Sequence, residues 1–325
     1  MADKDTLVDH LERQGISRRT FLKFCSLTAS SLALPTVAAR AIAQTLSTTP
    51  RPTVIWLSGQ ECTGCTETVL RSFEPTIESL ILSEISLDYH NTLMAPSGAA
   101  AEASRLQAIT QGGHVVVVDG SIPLNDDGAW SIIGGRSALD VVQESVAGAG
   151  LIIAIGNCAA FGGIPKADPN PSAARSVDDL IQAGQLITSA PLVNVPGCPP
   201  IPEVMTGVVV HFLTFGLPSL DSLKRPTAFY GRTVHETCTR LPAFNAGFFA
   251  TSFDDDAARQ GACLINLGCR GTVTFNACTT VKWNGGTSFP MLSGHGCLGC
   301  SEPDFWDRVS TVTGEKGFYA PVFKV

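Results

Sequence analysis

A doubly wound α/β domain, followed by an irregular segment stapled by cysteines, is the fold class this chain predicts. Between Pro52 and about Pro218, short β-branched and aliphatic runs alternate with helical stretches. The runs are mostly continuous rather than alternating, as in parallel strands covered on both faces. Beyond about Leu220 the alternation fades, repeats are absent, and Gly, Pro, Asn and Cys punctuate the chain. Its 325 residues suit one sizeable core plus an appendage. With 44% hydrophobic and 16% charged residues the chain reads as globular, and a formal net charge of -7 argues against nucleic acid as a partner.

Residues 1–43 read as an export signal. Ser17-Arg18-Arg19-Thr20-Phe21-Leu22-Lys23 is a twin-arginine element, followed by a weakly apolar stretch from Phe24 to Ala39 and the small-residue end Ala41-Ile42-Ala43. A second cleavage point follows Ala39. The twin-arginine route exports folded proteins, which suits thiols that must receive metal in the reducing cytoplasm before they reach an oxidising periplasm. Cys25 lies inside this leader and is expected to be lost with it. No later segment reads as a membrane span: the most apolar run, Val204 to Leu217, contains His211 and is shorter than the ~20 residues required.

In the α/β region, residues 51–220, the strand candidates are Thr53 to Leu57, Ile85 to Tyr89, His114 to Val118, Leu151 to Ile155 and Leu192 to Val195. Thr66 to Ser79, Gly98 to Ile109, Gly135 to Ala147 and Ser176 to Ala183 read as the crossover helices, the last opened by a capping box of Ser176 with Asp179. Residues 221–325 form the irregular region.

Ten cysteines follow the leader. An even count also suits a disulfide framework, so the number alone decides nothing. Spacing decides more: Cys62-Thr-Gly-Cys65, Cys297-Leu-Gly-Cys300 and His235-Glu-Thr-Cys238 are tight chelate pairs that let one turn reach two corners of a metal cluster. In an open parallel sheet, ligands gather beyond the carboxyl ends of the strands. Cys62 and Cys65 follow the first strand, Cys158 follows the Leu151 run and Cys198 follows the Leu192 run, so four thiols from three loops meet at one edge. Gly64, Gly156, Gly162, Gly163 and Gly197 let backbone approach them. The remaining ligands form a set of His235, Cys238, Cys263 and Cys269 and a set of Cys278, Cys297 and Cys300. Between His235 and Cys300 they would staple a segment poorly able to hold itself by apolar burial.

Seven ordered motifs make the chain from Arg51 to Asp307 resemble the small subunits of the periplasmic, uptake-type nickel-iron hydrogenases. They are Glu61-Cys-Thr-Gly-Cys65, Gly156-Asn-Cys158 with Gly162-Gly163, Pro196-Gly-Cys-Pro-Pro200, His235-Glu-Thr-Cys238, Gly268-Cys269-Arg-Gly271, Asn276-Ala-Cys278 and Gly294-His-Gly-Cys-Leu-Gly-Cys-Ser-Glu-Pro303. The resemblance implies a flavodoxin-like sheet and an electron-transferring subunit of a hydrogen-oxidising or hydrogen-producing enzyme. Cys62, Cys65, Cys158 and Cys198 would hold a proximal 4Fe-4S cluster. The His235 set would hold a distal 4Fe-4S cluster. Cys278, Cys297 and Cys300 would hold a medial 3Fe-4S cluster, with Pro290 where a cubane needs a fourth cysteine. The nickel-iron centre would sit in a large partner subunit, and a c-type cytochrome would be the acceptor.

Thr239, Phe289 and Gly296 stand where the family usually has proline, tryptophan and proline. These departures leave every ligand intact. Gly64 and Gly163 occupy the positions of two extra cysteines in oxygen-tolerant relatives, which implies a conventional proximal cluster and inactivation by air. The lack of a C-terminal membrane helix implies a soluble periplasmic enzyme. Glu61 and Thr63 match positions near a proton exit, although a glutamate beside a cysteine also serves simply to bond a loop. His295 reads as a loop hydrogen-bond donor, and His90, His114 and His211 as core histidines. Phe244 to Phe253 reads as core or subunit interface. Two other classes fit parts of the pattern: a stand-alone periplasmic multi-cluster electron carrier, and a secreted scaffold of disulfides or structural zinc.

Overall fold

Five runs of β-branched and aliphatic residues pair into one parallel sheet in a computed structural model that describes residues 18–31, 35, 37–48, 51–73, 76, 85–317 and 321. The strands are β1 (Thr53–Ser58), β2 (Ser86–His90), β3 (Val115–Asp119), β6 (Leu151–Ile155) and β7 (Leu192–Val195), with a small antiparallel hairpin of β4 (Ile132–Ile133) and β5 (Arg136–Ser137) set between β3 and β6. Their order, β2-β1-β3-β6-β7, places the long crossovers on both faces.

Continuous apolar runs arise because both faces are buried. Val54, Trp56, Val115, Val117, Ile153 and Val195 point into one core against Val204, Met205 and Val208. Ile55, Leu57, Val116, Val118, Ile152 and Ala154 point into the other, against Ala108, Val141 and Leu180.

The crossover helices differ in detail from expectation. Gly98–Gln111 lies where predicted. The helix after β1 spans Gly64–Val69, beginning earlier than Thr66 because Thr63, at φ 65°, turns the chain there. It ends by Leu70, and most of the expected continuation toward Ser79 lies outside the described residues. Positive φ at Gly134 and Gly135 builds the hairpin instead of a helical start, so that helix runs Ala138–Ser145 behind Ser137, whose side chain accepts from the Asp140 amide. The Ser176 capping box is present and opens Val177–Gln182. The apolar run near Val204 forms Pro202–Phe215, opened by Pro202.

Two N-terminal helices, Arg18–Ser31 and Ala38–Thr48, bury Cys25, Ala29 and Ile42 with Val210 of the Pro202–Phe215 helix. Residues 1–17 lie outside the described residues. After Phe215, no described helix exceeds the five residues of Leu241–Asn245. Among the described residues no helix is long and apolar enough to cross a membrane.

His90 and His114 are core histidines as expected. Buried His90 accepts at Nδ1 from the amides of Thr92 (3.1 Å) and Leu93 (3.3 Å), an arrangement open only to the neutral ring. Burial pushes its pKa down to about 4 from the ordinary 6.5. Between those values the unfolded chain binds a proton that the folded chain does not. Stability is therefore expected to fall as pH drops from about 6.5 toward 4. Denaturant titrations at pH 7 and pH 5 check this: a His90→Gln variant should lose part of the pH dependence, and an unchanged dependence would refute the assignment.

Candidate metal-cluster sites

The carboxyl ends of β1, β6 and β7 deliver the first thiol group. Cys62 is exposed, while Cys65, Cys158 and Cys198 are half-buried and lie within electrostatic reach of one another. The glycines beside them are spatially required. A Cβ on Gly156 would stand 2.6 Å from Cys65 Sγ, and one on Gly163 would stand 2.7 Å from Cys158 Sγ; both glycines have positive φ. Burial, reinforced by neighbouring thiols and acids, pushes the Cys158 and Cys198 thiols up to about 12. Without an electrophile these groups stay protonated, and binding a metal releases their protons.

His235, Cys238, Cys263 and Cys269 line a second, small cavity. Burial lowers the His235 pKa, which favours the neutral ligand form, and the ring meets Phe244 edge-on at 4.6 Å. Backbone amides aim at the sulfurs: Arg240 N lies 3.4 Å from Cys238 Sγ and Cys297 N lies 3.2 Å from Cys269 Sγ. Such N–H···S bonds stabilise thiolate and raise the potential of anything it ligates.

The third group, Cys278, Cys297 and Cys300, lines a cavity of about 370 Å³ together with Cys198, Phe289 and Pro290. Pro290 supplies part of the wall. A single water needs only about 30 Å³, so a multi-atom inorganic group fits this space. Among the described residues no three His, Cys, Asp or Glu side chains converge as tightly as one metal ion requires. None of the ten cysteines from Cys62 onward is in a disulfide.

Contacts between groups order them. Cys198 of the first group is an electrostatic neighbour of Cys300 and shares the third cavity, while the Cys297 amide of the third group bonds Cys269 of the second. The sequence order first, second, third thus becomes a spatial order of first, third, second.

Several supporting residues escaped sequence reasoning. Buried Asn157 donates from Nδ2 to the carbonyls of Cys300 and Glu302, each at 2.9 Å, tying the first group's loop to the third's. Arg225 and Glu302 form a buried pair at 2.9 Å. Asp119, ending β3 beside Cys65, has its pKa pushed up to about 7 by burial and by Glu61. Fully buried Arg270 follows Cys269. Asn157, Arg270 and Glu302 carried a signal, as neighbours of cysteines inside the short motifs, whereas Arg225 and Asp119 carried none.

Glu61 accepts from the Thr63 amide and bonds its hydroxyl at 3.4 Å, so the loop-bonding role is present. His295 Nδ1 lies 2.8 Å from the Gly296 carbonyl, and the ring stacks on Phe253. Half-buried His211 lies 3.1 Å from the Gly216 carbonyl, at the helix end rather than in the core. Phe248 and Phe253 are exposed, while Ala250 of the same stretch is buried against Ala262 and Leu264. At Gly296 a Cβ would stand 2.8 Å from that of Cys269, so the glycine permits the close approach of the second and third groups.

Comparison with known proteins gives the family. The family defined by the C-terminal part of the NiFe/NiFeSe hydrogenase small subunit matches residues 230–313, and the family "NADH ubiquinone oxidoreductase, 20 Kd subunit" matches residues 62–212. The chain is 48% identical over 313 residues to the uptake hydrogenase small subunit of Afipia carboxidovorans, covering 95% of this chain and 84% of that one. It is 46% identical over 313 residues to the hydrogenase-1 small chain of Escherichia coli K12, covering 95% and 82%. Among solved structures, the recombinant [NiFeSe] hydrogenase of Desulfovibrio vulgaris Hildenborough superposes with TM-score 0.72 at 37% identity, covering 79% of this chain and 95% of that one. The reduced, active Ni-Fe-Se hydrogenase of Desulfomicrobium baculatum gives TM-score 0.75 at 33% identity, covering 83% and 99%. Parallel sheet, ordered thiols and relatives together define an electron-transferring oxidoreductase subunit. The chain belongs to the nickel-iron hydrogenase small subunits, and the hydrogen-activating site of such an enzyme lies in the large subunit.

Proposed function

We propose that the three thiol groups hold two 4Fe-4S clusters and one 3Fe-4S cluster, forming a conductor from the large subunit's nickel-iron centre to an external acceptor. When bound, the clusters accept and release single electrons. Cys62, Cys65, Cys158 and Cys198 are the proposed ligands of the proximal cluster. Cys278, Cys297 and Cys300 are those of the medial cluster, and His235, Cys238, Cys263 and Cys269 those of the distal cluster.

The observation that carries this reading is the ordered adjacency of the groups, with Cys198 beside Cys300 and Cys297 bonded to Cys269. The protein's part is to keep buried thiols and a neutral imidazole in place and to aim backbone amides at sulfur. Half-buried His235, beside exposed Glu236, suits the exit with its pKa lowered by burial, because replacing a thiolate by neutral imidazole raises potential. A c-type cytochrome is the proposed acceptor.

Domain organisation follows the same division, with residues 51–220 carrying the proximal ligands and residues 221–325 the other two sets. Residues 1–43 are proposed to direct the folded subunit to the periplasm by the twin-arginine route, a reading supported by exposed Arg19. Glu61 and Thr63 are proposed neighbours of the proton path.

Elemental analysis of the anaerobically purified complex tests the central claim. About twelve irons and one nickel per complex are expected, about eleven of the irons from clusters of four, three and four. Iron without nickel or a partner would indicate the stand-alone carrier, and zinc or no metal would overturn the cluster reading.

A further inference from the structure

The sequence motif Gly268-Cys269-Arg-Gly271 contains a charge that the ligand assignment leaves unused. Arg270 is 0% exposed. Its amide donates to the Cys297 carbonyl at 2.8 Å. Its side chain passes beneath the Cys297-Leu-Gly-Cys300 turn, where a Cβ on Gly299 would lie 3.2 Å from Arg270 Cδ. The guanidinium ends on carbonyls, with Nη1 3.1 Å from Phe305 O and Nη2 on Gly317 O, while Nε is buried without an acceptor.

Among the described residues no carboxylate pairs with Arg270. The charged groups around it do not cancel it. Arg308 is a second cation close by, with Nη1 also buried without an acceptor. Glu302 lies near Arg308 but is engaged by Arg225 at 2.9 Å, and Arg225 also bonds Asp221 at 2.8 Å. Cys297 is an electrostatic neighbour of Arg270. Arg240 serves the second group instead, lying near Cys238, Cys263 and Cys269 with its own guanidinium on the carbonyls of Met291, Ala258 and Ala262.

A guanidinium does not lose its proton in a protein, and removing it from water without a counter-charge is costly. Such a charge persists where something negative completes it. The third group, once its thiols are thiolates, is the anion within reach.

We propose that Arg270 is a positioning residue for electron transfer, its fixed charge raising the reduction potential of the site held by Cys278, Cys297 and Cys300. The physical reason is general: an added electron makes the site more negative, and a nearby cation in low dielectric stabilises the reduced form more than the oxidised one. Arg308 reinforces the field from further out. The inference rests on the cluster assignment proposed above.

Redox titration of the assembled complex, followed through the electron paramagnetic resonance signal of the three-iron site, tests it in Arg270→Gln and Arg270→Lys variants. Arg270→Gln is expected to move the midpoint to more negative potential. Arg270→Lys keeps the charge and is expected to hold the midpoint near that of the unmodified complex, although both variants melt earlier through loss of the carbonyl bonds. An unchanged midpoint in Arg270→Gln, or an equal shift in Arg270→Lys, would overturn the proposal. If neither variant assembles, Arg308→Gln is the deciding variant: a smaller negative shift supports the proposal and an unchanged midpoint overturns it. Absence of a three-iron signal in the unmodified complex would instead sink the cluster assignment.

Discussion

Exchange of Cys65 for serine is expected to abolish electron flow out of the enzyme while leaving nickel in the large subunit. Cys65 packs against the sheet's core, faces Cys158, Cys198 and Asp119, and has Gly156 at its back with no room for a larger group. A serine hydroxyl is a harder, more basic ligand than a thiol, and nothing on this loop can move in to replace it. Loss of an outer-shell partner alone typically costs 10–100-fold in metal-site activity or affinity, so loss of the ligand itself should lower hydrogen-dependent dye reduction by about 100-fold or more. Iron should fall by about four per complex. Dye reduction in Cys65→Ser within about threefold of the unmodified complex would remove Cys65 from the ligand set.

The largest effect on stability should come from Glu302→Ala. Glu302 and Arg225 have side chains 7% and 5% exposed, and the carboxylate also accepts from the Phe275 amide at 2.6 Å. Removing it takes a carboxylate from a buried guanidinium, which keeps Asp221 and the Ser301 carbonyl, and takes the acceptor from the amide of half-buried Phe275. Breaking a buried pair from one side costs about 3–5 kcal/mol. Asp221, still on Arg225 Nε at 2.8 Å, holds the effect near about 3 kcal/mol. Glu302→Gln keeps an acceptor for Phe275 and should lose less. Denaturant midpoints of the three proteins check the ranking, and a Glu302→Ala variant as stable as the unmodified protein would contradict it.

Legibility in the sequence followed repetition. Valine and isoleucine runs such as Val115–Asp119 and Leu151–Ile155 announce buried parallel strands because both faces demand apolar residues. Ser176 with Asp179 announced a helix start because a cap is a local bond between near neighbours. The short helices Gly156–Phe161 and Gly163–Lys166 carry no such mark, being too brief for a periodic pattern and rich in glycine. Gly135 looked like the start of a helix, because a positive φ is invisible until the turn exists. The close Cys-x-x-Cys and His-x-x-Cys pairs were readable from spacing alone. The partners of Glu302 and Asp119 were not, since a single carboxylate in sequence says nothing about whether it ends in water or beside an arginine or a thiol.

The wall shared by Cys198, Pro199, Cys278, Cys297 and Cys300 limits how such a chain can be divided or recombined. A cut near Leu220, at the passage from regular to irregular chain, would leave Cys198 and Pro199 on one fragment and the other three thiols of that cavity on the other. Asn157 would lose both of its acceptors, Cys300 O and Glu302 O, at the same cut. The seam in the architecture therefore runs through the middle of a device. In building hybrids, the two halves are best exchanged together, as one inherited unit.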